Sequence, residues 1–150
     1  MQTVDNQSVG SMLVPTDGSD VAGQALEKAL AFADRLDANV HVLSVVDTTG
    51  NPLKFGVAEV DELNRAGQCL VDEIVDAHDD RDVEIYGAIR RGRPADMILN
   101  YATENEIDLI LIGRTGRGRV ADVLLGSTAD RVVRQASIPV IVVPGSEPDE

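Results

Sequence analysis

IDLILIGRTGRGRVADVLLGSTADRVVRQASIPVIVVP, from Ile107 to Pro144, is the stretch on which the fold turns. It begins with an almost continuous apolar run, Ile107 to Gly113, and closes with another, Ile138 to Pro144. Runs this short and this apolar read as strands buried on both faces, the usual condition of a parallel sheet. Between them lie a loop of glycines and arginines and a helix from Ser127 that turns Ala129, Val132, Val133 and Ala136 inward. Two parallel strands need such a crossover.

Toward the N-terminus the alternation continues. A helix runs from about Pro94, a good first-turn residue, to near Asn105. Before it, Val83 to Ile89 alternates Val83, Ile85 and Ile89 against Glu84 and Tyr86, a strand with one wetter face. A further helix carries the stripe Leu63, Ala66, Leu70, Ile74 and Ala77, after a loop at Asp47 to Val57. Asn39 to Val46 is β-branched and mostly apolar, hence a buried strand. Ahead of it a helix capped by Ser19 buries Ala22, Ala25, Leu26, Ala29, Ala33 and Leu36. Met12 to Pro15 is the first strand. The order β-α-β-α-β-α-β-α-β predicts an α/β fold: one domain, an open, twisted, parallel five-stranded sheet with helices on both faces. That domain spans 12–144, between a flexible polar tail at 1–11 and an acidic tail at 145–150.

Composition narrows the function. The 150 residues include 26 acids and 13 bases, a formal charge of −13, which repels phosphate backbones and anionic lipid. Neither nucleic acid nor membrane is expected as a partner. No apolar run approaches the ~20 residues of a membrane span. The start MQTVDNQSVG carries Asp5 and no basic residue, unlike a secretory signal, so a cytoplasmic location is expected. Cys69 is the lone cysteine, which excludes a disulfide framework and a Cys-rich zinc site; a buried or half-buried place on the second helix is expected for it. Asp outnumbers Glu, and Lys28 and Lys54 are the only lysines, a balance suited to a high-salt cytosol; the plainer reading is an ordinary acidic cytosolic protein.

In open α/β sheets ligands bind beyond the carboxyl ends of the strands, so the loops after strands carry the search. Two stand out: Pro15 to Ser19 after the first strand and Gly113 to Thr128 after the fourth. The second sets glycines at 113, 116, 118 and 126, where backbone N–H groups could approach phosphate oxygens. Ser127, at a helix N-terminus, adds a hydroxyl and the positive end of the helix dipole. Arginines cluster in two acid-free segments, Arg90, Arg91 and Arg93, then Arg114, Arg117 and Arg119, which suggests attraction of an anion. The plainer reading makes them solubilising loop residues.

At these residues the chain resembles the universal stress protein family. Gly113, Gly116, Gly126 and Ser127 reproduce its nucleotide-binding pattern G-x2-G-x9-G-[ST] without a gap, and MLVPTDGS, VHVLSVVD and ASIPVIVVP look like its first, second and last strands. The resemblance covers Met12 to Pro144. It implies strand order 3-2-1-4-5 and a bound adenine nucleotide, ATP or else AMP or ADP, with Mg²⁺ riding on the phosphates. Pro15, Thr16 and Asp17 would then face the adenosine, the Val45 backbone the adenine, and Gly113, Gly116, Gly126, Ser127 and Thr128 the ribose and phosphates, with Arg114 and Arg117 alongside. Ala129 stands where family members often carry another hydroxyl.

Plainer readings accompany these residues. Asp17 could cap the first helix or hold a turn, Ser127 could open a capping box with Asp130, and Val45 could be core. A Walker loop is absent because neither lysine follows a glycine. Gly116, Gly118 and Ala121 match a dinucleotide fingerprint, but after the wrong strand and without the acid that should end the next one. His41 and His78 read as structural. Phosphoryl transfer needs a metal ligand set and a positioned base, and the sequence shows a phosphate cradle without a clear base. Regulatory nucleotide binding with slow or absent hydrolysis is therefore expected, the competing classes being a nucleotide hydrolase using Asp17 or a metal-bound water, and a nucleotide-free interaction module. The last strand is an apolar run at a sheet edge, which predicts a homodimer closed through Val140 to Val143; cover by the chain's own tails is the alternative.

Overall fold

The structure, a computed structural model, describes residues 8–49, 56–115 and 125–145. Five strands and four helices alternate: β1 (Ser11–Pro15), α1 (Asp20–Leu36), β2 (Asn39–Val46), α2 (Val57–Ala77), β3 (Ile85–Arg91), α3 (Pro94–Glu104), β4 (Leu109–Gly113), α4 (Ser127–Gln135) and β5 (Val140–Val143). All neighbours pair in parallel, in the order β3-β2-β1-β4-β5. The expected α/β architecture and strand order are both present.

Side chains that alternate along each strand divide the core in two. Met12, Val14, Val40, Val42, Leu109 and Leu111 meet α1 on one face, with Ile74 of α2 packed alongside. Leu13, Leu43, Ile110 and Ile112 meet α3 and α4 on the other. The period of two in a strand dictates this split once both faces are covered. Ser19 caps α1 as expected, its hydroxyl accepting from the Ala22 N–H at 3.2 Å. Asp37 ends the helix in the left-handed region, with φ 57°.

Several expectations shift. Leu36 is 49% exposed, because the chain turns away at Asp37; Leu30, outside the expected stripe, is fully buried. In α2 the inward face holds Gly67, Leu70, Val71, Ile74 and Val75, whereas Leu63 is 40% exposed and Ala66 and Ala77 are exposed. Two glycines set that face. A Cβ on Gly67 would stand 3.1 Å from Ser44 Oγ, and Val71 Cγ1 occupies the place of a Cβ on Gly87. Close approach at these points rotates the helix off its most apolar stripe. Cys69 consequently lies exposed on the outer side of α2, contrary to its expected burial. Strand β3 runs two residues later than its pattern suggested, because pairing with β2 from Val40↔Ile85 to Val46↔Arg91 draws both arginines into the ladder. Val133, expected inward, is 44% exposed.

Candidate nucleotide-binding site

Strand order reverses at β1: the chain builds outward to β2 and β3, then crosses to β4 and β5. The carboxyl ends of β1 and β4 therefore border a crevice, the usual ligand position in such sheets. Three of its borders can be traced from backbone geometry.

The first is the turn after β1. Thr16 N–H donates to Leu43 O at 2.8 Å, which anchors the turn to β2. Thr16 Oγ1 accepts from Gly18 N–H at 3.2 Å and Asp17 Oδ1 from Ser19 N–H at 2.9 Å. Gly18, at φ 82°, supplies the left-handed step. Asp17 thus holds a turn, as its plainer reading had it, and does not cap α1; that task belongs to Ser19. Its exposed carboxylate still stands at the crevice mouth.

The second border is β2. Its pairing with β1 ends at Pro15↔Leu43. Leu43 O points toward β1, so two residues on the Val45 backbone groups point the same way. Strand β1 has stopped by then. Val45 accordingly offers backbone donor and acceptor groups toward the crevice, while its half-buried side chain packs against the α3 and α4 core.

The third border is the start of α4. Arg114 N–H donates to Val143 O at 2.8 Å, and Gly126 N–H to Arg114 O at 2.7 Å. These bonds draw the first turn of α4 against the end of β4. Gly126 is the N-cap and makes no side-chain cap bond. The capping box with Asp130 does not form: Ser127 is the first helical residue, and the Asp130 carboxylate takes Arg134 Nε at 3.0 and 3.1 Å. Ser127 is exposed and Thr128 half-buried at a helix end whose first N–H groups have no intrahelical partner and which carries a partial positive charge.

Gly113 has a different reason to be glycine. An added Cβ would stand 2.6 Å from Val21 Cγ1, so the glycine lets α1 sit close against the end of β4. Gly116 and Arg117, like Arg119, lie outside the described residues. Arg114 is half-buried, its Nε donating to Pro144 O at 3.5 Å. The other arginine segment is elsewhere. Arg90 and Arg91 end β3, two strands from β1, and Arg93 follows it; Arg93 lies 3.7 Å from Asp96, and Arg90 folds over the Tyr101 ring. Sequence reasoning missed Thr115, which is buried with its hydroxyl unpaired among the described residues. Its place as one of the variable residues between Gly113 and Gly116 carried no signal.

Among the described residues no group of three or more His, Cys, Asp and Glu side chains could hold a metal ion, and no helix is long and apolar enough to cross a membrane. The strand order and the crevice define a doubly wound α/β protein with its candidate site at the topological switch point. The chain belongs to the universal stress protein family, whose model matches residues 9–144. It is 35% identical over 136 residues to a universal stress protein of Methanocaldococcus jannaschii, covering 88% of this chain and 80% of that one. A solved structure of another protein of that family from the same organism superposes with a TM-score of 0.84 at 25% identity, covering 93% of this chain and 99% of that one. Two more distant structures, each 24% identical, share the fold and hold AMP-type nucleotides: a universal stress protein with cAMP (TM-score 0.72, covering 93% and 100%) and one from Archaeoglobus fulgidus with dAMP (TM-score 0.63, covering 90% and 98%).

Proposed function

We propose that this chain binds an adenine nucleotide in the crevice between β1 and β4, as a regulatory ligand hydrolysed slowly or not at all. The observation that carries the reading is the α4 end. The first-turn N–H groups, which lack intrahelical partners, lie with the Ser127 and Thr128 side chains where β4 ends, and among the described residues neither hydroxyl caps the helix. Anions favour such a terminus. The Val45 backbone, on the far side of β1, is placed to meet a base edge, and Pro15, Thr16 and Asp17 lie between. The buried Thr115 hydroxyl, unpaired among the described residues, fits a site whose polar partner comes from a ligand. The cAMP and dAMP complexes of related proteins support adenine as the base.

ATP is the form proposed, with Mg²⁺ held by its phosphates and not by a protein carboxylate cage. Such a metal would neutralise phosphate charge, while the chain's own groups orient the nucleotide. Calorimetric titration with AMP, ADP and ATP, with and without Mg²⁺, tests the reading, alongside mass spectrometry of nucleotide released from purified protein. Saturable binding of an adenine nucleotide is expected. An empty crevice and no binding would leave an interaction module instead, and ATP turnover at ordinary enzyme rates of about 1 s⁻¹ or more would make the protein a hydrolase.

A further inference from the structure

On the α3 face of the sheet, away from the crevice, His41 of β2 sits among aromatic rings. Its Nδ1 shares a 2.6 Å hydrogen bond with the Tyr101 hydroxyl of α3. The Tyr101 ring stands edge-on to the imidazole with centroids 5.5 Å apart, and Tyr86, His41's partner in register on β3, lies at 5.1 Å. Arg90 Cζ stands 5.1 Å from the centroid of the Tyr101 ring. On the other side the neighbour in register is Leu13 of β1, an apolar core residue. Glu84, which is exposed, accepts from the Tyr86 hydroxyl at 2.7 Å. The imidazole is thus half-buried, and among the described residues its side chain bonds a neutral hydroxyl, with the Arg90 guanidinium over the same Tyr101 ring.

We infer that His41 is a pH-sensitive clasp: the neutral ring holds α3 to the sheet through Tyr101, and its protonation loosens that helix. Protonation would put a charge on a half-buried ring flanked in register by Leu13 and Tyr86 and bonded to a neutral hydroxyl, which disfavours the closed state. Burial pulls the His41 pKa below its ordinary value, and burial also raises that of Tyr101, which keeps the hydroxyl neutral over the relevant range. The opened state takes its proton near the ordinary histidine pKa of about 6.5. As pH falls through that value the opened state binds more protons than the closed one, so closure weakens; as pH rises, it recovers. Helix α3 also packs on α4, whose first turn borders the crevice. The clasp operates whether the crevice is filled or empty.

The chain has only two histidines, which makes the test clean. His78 lies at the end of α2, with Nδ1 bonded to Ile74 O at 2.8 Å and Nε2 3.6 Å from Glu27, on the opposite face from α3. Hydrogen exchange of the α3 amides, corrected for intrinsic rates, is followed from about pH 7.5 to about pH 5.5, above the carboxylate range. Protection of α3 should fall as the pH falls, approaching at its steepest about tenfold per pH unit, the limit for one proton. His41→Gln should flatten that slope whatever its effect on overall protection, and His78→Asn should leave it. Should His41→Gln not fold, titration of the His41 ring by NMR in the wild-type protein decides alone. A ring pKa at or above the ordinary value, or an α3 slope unchanged in His41→Gln, overturns the proposal.

Discussion

Gly113 and Gly126 show how one residue type serves two purposes in one motif. Gly113 makes room for Val21, whose Cγ1 would stand 2.6 Å from an added Cβ. Gly113→Ala should therefore destabilise the fold by about 1–3 kcal/mol, as overpacking does. Val21→Ala should recover part of that loss in the double variant, measured by denaturant unfolding; additive losses would show that the two residues do not compete for space. Gly126 has β-region backbone angles of φ −64° and ψ 160°, open to other residues, so its substitution tests the ligand more than the chain. Gly126→Val should abolish nucleotide binding by filling the approach to the first turn of α4, and Asp17→Ala should weaken it, both with near-native melting. Unchanged affinity in both would move the site elsewhere.

For helices, what faces inward depends on where a neighbour lets the backbone approach. In α2 the most apolar stripe does not face the sheet; the seat is set by Gly67 over Ser44 and by Gly87 under Val71. Gly87→Ala should lift α2 from β3 and cost about 1–3 kcal/mol, with Val71→Ala restoring part of it. Equal stability of Gly87→Ala and wild type would refute this account of the helix face. The start of α4 teaches a related lesson. The sequence offered Ser127 both as a cap and as a ligand hydroxyl, and only the placement of Gly126 as N-cap removed the first option.

Two predictions concern the molecule as a whole. Acids outnumber bases 26 to 13, and the described surface holds few ion pairs, among them Arg134–Asp130 at 3.0 Å and Arg93–Asp96 at 3.7 Å. Such pairs contribute at most about 1 kcal/mol each, so repulsion among carboxylates dominates at low salt. The melting temperature should rise steeply as KCl goes from millimolar to molar; a flat curve would mark an ordinary acidic protein. The edge strand β5 pairs only with β4 among the described residues, and Val140, Ile141 and Val142 remain half-buried. Antiparallel pairing of this strand across a two-fold axis would close a dimer. Sedimentation equilibrium in molar salt should give a dimer, disrupted by Val142→Lys; a soluble wild-type monomer would defeat the proposal.

Element order was legible from the sequence because apolar strands and amphipathic helices carry distinct periods, and Ser19 and Pro94 announced their helices through local chemistry. Candidate loops after β1 and β4 could be picked out as well, since glycines without side chains and a hydroxyl at a helix start leave a linear signature. What spacing alone leaves open is contact between distant residues. That Thr16 binds Leu43, that Val45 outlasts β1, that Gly113 serves Val21 and that Thr115 is buried all depend on strands and helices from far along the chain meeting in register. The same holds for His41, which read as an unremarkable strand residue until α3 brought Tyr101 to its ring. Local pattern determines which elements form, because hydrogen bonds and side-chain period act over a few residues. Packing decides which faces meet and which polar groups are left for a ligand, because burial is settled only when the whole sheet has assembled.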